Sequence, residues 1–94
     1  MDVYVPNAFT PDGNGQNESF RPVSVGLDPD QYEFLVFDRW GQVLFRTTDP
    51  EEAWDGNYAS GSPVPQGVYV WRLIAKDLYS PNRVERIGHV TLVR

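Results

Sequence analysis

The chain contains no cysteine, a single histidine, and no apolar run long enough to span a bilayer. The missing cysteines exclude disulfides, thiolate zinc sites and thiol catalysis together, and leave the redox compartment open. The one histidine, His89, follows Gly88, and no serine stands in a Gly-x-Ser-x-Gly setting, so neither a catalytic triad nor a histidine metal cluster can be assembled. His89 reads as a solvated strand residue, and Glu51, Glu52 and Asp55 as solvated acids of a Pro-rich loop rather than a glycosidase pair; no enzyme is expected. Basic residues are also scarce: 8 Lys+Arg face 13 Asp+Glu, for a net charge of -5, which lacks the basic face that nucleic-acid binding needs. The opening MDVYVPN has neither the length nor the apolar content of a signal peptide or membrane span. It reads as the start of a piece excised from a larger protein, with whatever carried that protein through a membrane lying upstream. Helix signals are nearly absent; residues 49–54 (DPEEAW) hold the one candidate turn of helix, with Asp49 as cap and Pro50 at the first helical position.

What is present is apolar and aromatic: 40% of residues are hydrophobic, with three Trp, five Tyr and five Phe, which is a folding composition. A length of 94 residues allows one core, and a single domain over 1–94 is expected. β-branched and aromatic residues fall in short runs between Gly, Pro, Asn and Asp clusters. The clearest are residues 32–38 (YEFLVFD), 43–47 (VLFRT), 68–76 (VYVWRLIAK) and 89–94 (HVTLVR); weaker ones are 3–5, 20–25 and 83–87. About seven short strands predict an all-β, antiparallel β-sandwich. Gly41 should supply the positive φ of a hairpin between the first two runs, residues 65–67 (PQG) should launch the longest strand, and residues 77–82 (DLYSPN) should turn it back. The predicted core is Phe9, Phe20, Phe34, Val36, Phe45, Trp54, Tyr69, Trp71, Leu73, Val90 and Leu92.

Two strands carry apolar residues on both faces. Tyr69, Trp71, Leu73 and Ala75 oppose Val68, Val70 and Ile74, and Tyr32, Phe34 and Val36 oppose Leu35 and Phe37. A sandwich buries one face of each sheet, so the second face is expected to lie under loop 48–66, with Trp54 as plug; the alternative is a docking surface.

The polar loop in VPNAFTPDGNGQNESF is the densest motif. It lacks the Lys-Ser/Thr of a phosphate loop. Asp12, Asn14, Gln16 and Glu18 present oxygens from alternate residues, and Asp12, Asn14 and Glu18 are the candidate ligands for calcium, the one candidate metal, but a loop closed by its own Asx turns explains the composition as well. Trp40, Trp54, Tyr58 and Trp71 invite a sugar platform; against it, Trp40 beside Gly41 and Trp54 before Asp55 and Gly56 are placed as anchors pinning turns to the core.

Five blocks stand in a familiar order: Asn7 and Thr10 in PNAFTP followed by the Gly-rich Asp/Asn loop; Phe37-x-Arg39-Trp40-Gly41 with Val43-x-Phe45; Trp54-Asp55-Gly56; Pro65-x-Gly67-x-Tyr69; and Gly88-x-Val90-Thr91-Leu92. Over this whole length the chain resembles the gliding motility-associated C-terminal domain, the type B sorting domain of the type IX secretion system of Bacteroidota. The resemblance implies an Ig-like sandwich of large secreted or surface proteins, often adhesins. It implies a monomer that addresses its cargo to outer-membrane secretion machinery. The family loop usually reads Asn-Gly-Asp-Gly-x-Asn-Asp, whereas Asp12 and Asn14 are exchanged here and Glu18 replaces the last aspartate. The residues alone support a non-catalytic acidic β-sandwich; a sugar- or calcium-binding adhesive module is the second functional class.

Overall fold

The computed structural model describes residues 2–11 and 19–94. Seven strands follow one another: β1 (Asp2–Tyr4), β2 (Ala8–Phe9), β3 (Val23–Val25), β4 (Leu27–Phe37), β5 (Val43–Thr47), β6 (Gly67–Asp77) and β7 (Arg83–Leu92). They form a five-stranded sheet in the order β2-β7-β6-β4-β5 and a two-stranded ribbon, β1-β3. Four neighbours, β7-β6-β4-β5, repeat the G-F-C-C′ order of a variable-type immunoglobulin sheet, so the expected Ig-like sandwich is the architecture. Among the described residues the strand pairings are antiparallel save one: β2 lies parallel to the end of β7, Ala8 beside Thr91 and Phe9 beside Leu92.

The long strands form where alternation is strongest. In β6, Tyr69, Trp71, Leu73 and Ala75 are buried, and their partners across β4 are Trp71–Val36, Leu73–Phe34 and Ala75–Tyr32. Facing pairs lie on one side of the pleat, so two strands build one apolar surface from residues of matching parity. Residues 83–87 and 89–94, expected as separate strands, are one strand ending at Leu92. Gly88 joins them: a Cβ there would stand 2.5 Å from Cζ2 of Trp71, so the absent side chain is where the indole lies over the neighbouring strand. β4 begins earlier than expected, through Leu27, Asp28 and Pro29, by way of a register shift that accommodates the proline.

The hairpin between β4 and β5 forms as expected, with Gly41 at φ 84°. A bulge after Val36 turns both Leu44 and Phe45 toward the core. The predicted core is present, with Phe45 only half buried, and Tyr32, Leu44, Val64 and Ala75 complete it.

Two expectations fail. Residues 49–54 make a turn, closed by Glu52 N–H donating to the Asp49 carbonyl (3.0 Å) and Glu51 N–H donating to the Asp49 carboxylate (2.9 Å). The chain must straighten there because Trp54 pairs its backbone with Phe20, with both bonds at 2.8 Å. Segment 48–66 also covers the opposite face from the one predicted. Trp54 packs on Phe9 and Tyr69, whose side chains point inward, while Val68 and Ile87 on the outer face remain more than half exposed. The outer face is dressed by charge instead: Arg46 pairs with Glu33 (2.6 Å) and Arg72 with Glu85 (3.1 Å), beside Leu35, Ile74 and Ile87.

Candidate functional site

Most family-block residues are explained by folding, and a minority are left over. Trp54 is 1% exposed, and its indole N–H donates to the Asn57 carbonyl (3.0 Å). Asp55 accepts from Asn57 N–H (3.0 Å), closing an Asx turn. Gly56 takes φ 82°, and a Cβ on it would meet Leu92 Cδ1 at 3.0 Å and Pro11 Cγ at 3.2 Å. The Trp-Asp-Gly block is thus a plug and the turn that seats it. Tyr69, also buried, donates its hydroxyl to the Pro65 carbonyl at the start of β6, in the form of a tyrosine corner. Burial raises its pKa, which keeps the donor protonated. Gly67 opens β6 opposite Leu92. Asn7 is exposed, and its carbonyl accepts from Thr91 N–H (2.9 Å); Thr10 is half-buried.

Arg39, Trp40 and Gly41 differ. Trp40 is 79% exposed, so it is no anchor. Asp38 fixes the turn, because its carboxylate accepts from both Trp40 and Gln42 N–H (2.9 Å each) and its carbonyl from Gly41 N–H (3.1 Å). The Arg39 guanidinium carbon lies 4.9 Å from the indole centre, a cation–π contact that holds two exposed side chains together. Around this pair opens a groove of about 600 Å³, lined also by Tyr58, Pro65, Val68 and His89. Tyr58, singled out in the sequence only as a sugar-platform ring, and Pro65, part of a family block, were not expected beside Arg39 and Trp40; the return of segment 48–66 brings them there.

The other candidates stay apart. Trp71 and Trp54 are buried, which leaves Trp40 as the exposed indole, with Tyr58 on the same groove, and removes the row of exposed Trp that a sugar platform would show. Glu51, Glu52, Asp55 and His89 are exposed. Among the described residues no three His, Cys, Asp or Glu cluster as metal ligands. The calcium candidates Asp12, Asn14 and Glu18 lie outside the described residues. Among the described residues no helix is long and apolar enough to cross a membrane.

Arg94 was not anticipated. Its guanidinium donates to the carbonyls of Val64 (2.9 Å) and Gly56 (2.8 Å), and its N–H donates to the Gln66 side chain (2.9 Å), tying segment 48–66 to the end of β7.

With this geometry the comparisons agree. The model of the CHU_C type IX secretion signal domain matches residues 3–92. CopC from Methylosinus trichosporium OB3b is similar in structure (TM-score 0.57, 15% identity, covering 98% of this chain and 89% of that one). So is part of PorZ, described as an essential bacterial surface component of the type IX secretion system of Porphyromonas gingivalis (TM-score 0.54, 20% identity, covering 98% of this chain and 11% of PorZ). At these identities the two likenesses speak for the fold. No curated protein sequence matches the chain.

Proposed function

The chain belongs to the type IX secretion signal domain family, whose members sit in proteins exported to the cell surface or secreted, and from that premise we propose that it directs its parent protein through the outer-membrane translocon. The machinery reads it as a folded surface, without catalysis. The supporting observation is the turn at residues 38–41: it is rigidly bonded, yet it presents an indole and a guanidinium that the core does not use. Trp and Arg on a pre-formed turn are the residue types that dominate docking energetics, because little conformational freedom is lost when they are buried by a partner. The groove beside them, with Tyr58 and Pro65, gives a partner side chain somewhere to enter.

The test is a signal-peptide reporter fused to this domain in a bacterium that has the secretion system. Export should need the domain, and Trp40→Ala should lower it while changing stability by under about 0.5 kcal/mol. Equal export with and without the domain refutes the reading. Loss of export only in variants that also unfold would remove the turn from it.

A further inference from the structure

We propose that the unpaired edge of β3 is a second docking site, which takes an extended, basic segment of a partner protein as a third strand of the β1-β3 ribbon. The sheet opposite the ribbon has five strands; the ribbon has two. Just before β3, Phe20 exchanges two backbone bonds with Trp54. Beyond that point the polar contact with the returning segment, among the described residues, is made by Arg21, whose guanidinium donates to the Pro50 carbonyl at 3.4 Å and reaches Glu51 at 3.9 Å. From Val23 to Val25 the backbone partner is β1, and among the described residues no other backbone bond is made. In an antiparallel pair alternate residues turn both N–H and C=O away from the neighbour, so β3 keeps donors and acceptors on its far edge.

Val23 and Ser24 of β3 line a groove of about 490 Å³ together with Leu27, Asp49, Pro50 and Glu51. An open strand edge along a groove selects an extended backbone, because only that geometry meets its donors and acceptors in series. The ribbon register places Tyr4 opposite Val23, and both are exposed, as is Val25; an added strand gains apolar neighbours at alternate positions. Among the other free edges, β5 is defended by its bulge and Arg46 and β7 by Arg83, Glu85 and Arg86, while β1 and β2 contribute no residue to this groove. The β3 edge has neither device.

Charge selects the occupant. Asp49 and Glu51 line the groove against one cation, Arg21, and Asp28 and Asp30 flank the lining residue Pro29 in sequence. A second copy of this chain, itself at net charge -5, would set acid against acid. A strand bearing Lys or Arg at alternate positions meets the opposite field. The inference does not depend on which protein reads the Trp40 turn, so either can fail alone.

The probe is a capped nine-residue peptide of alternating lysine and valine, added to the intact chain and followed by hydrogen exchange at single amides. Exchange within Val23–Val25 should slow by about tenfold or more, while β5 and the free edge of β7 stay unchanged. Glu51→Lys, an exposed change, should weaken binding about threefold or more. The same peptide N-methylated at every second residue should give no protection. Protection at β5 or β7, no protection at β3, or a dimer that protects β3 without peptide would each overturn the proposal.

Discussion

The two layers of the sandwich are held by different means. The five-stranded sheet rests on long backbone ladders, ten consecutive residue pairs between β6 and β7 alone. Among the described residues the opposite layer has three pairs between β1 and β3, two isolated bridges (Phe20–Trp54 and Asn57–Pro63), and side chains: Phe20 stacked 5.6 Å from Phe9, Trp54 edge-on to Tyr69, and the Arg94 clamp. A ladder spreads its stability over many equivalent bonds. A layer of plugs concentrates it in a few residues, each tied to partners far away in sequence.

That contrast is most exposed to Trp54→Ala, which should cost about 3 to 5 kcal/mol in denaturant unfolding, as truncation of a fully buried aromatic does. If it costs under 1 kcal/mol on the same scale, the layer is not held by its plug. Within the ladder, Gly88→Ala should cost about 1 to 3 kcal/mol, because its methyl meets the Trp71 ring and overpacks a strand. An unchanged melting temperature would show that the indole yields freely. Arg94→Ala should cost about 1 to 2 kcal/mol, and hydrogen exchange should open segment 48–66 while β6 stays protected. Uniform opening of both layers would deny their separateness.

The smallest effect concerns Tyr32, whose buried hydroxyl has no partner among the described residues. Burial pushes its pKa up to about 12, with Arg21 lowering it and Asp49 raising it to lesser extents. The folded state thus favours the neutral phenol. The resulting stability is intact below the unfolded value near 10 and is lost as pH rises toward 12. Tyr32→Phe should be nearly neutral at pH 7 and should flatten the alkaline decline, measured by unfolding midpoints across that window; an equally steep decline would assign it to other groups.

The ladder layer was largely legible. Residues 32–38 and 68–76 alternate so regularly that their strands and inward faces follow from period two, whereas 43–47 was legible as a strand but not in its inward face, which the bulge resets. The first half of β4 was not, because LDPDQ has turn composition and is drawn into the sheet by pairing with the end of β6. β2 was missed for a similar reason: two residues become a strand only when the end of β7 lies beside them. The side-chain layer was legible in content but not in placement. Trp40 and Trp54 both stand beside turn glycines and look alike locally. What separates them is distant: Trp54 finds Phe9, Phe20 and Tyr69, whereas Trp40 finds Arg39.

The short parallel pairing of β2 with β7 also sets an order of events. It joins residues 8–9 to residues 91–92, while β7 is at the same time the outer partner of β6. A nascent chain leaving the ribosome can close the β4-β5 hairpin early, since its partners are near neighbours, but β6 stays half paired until residues 83–92 emerge. Closing so long a loop for two residue pairs is entropically poor until the ladder beside it exists, so the joining of the two ends comes last. A domain built this way cannot complete its ladder before residues 83–92 are present, and it commits to its compact form in one late step.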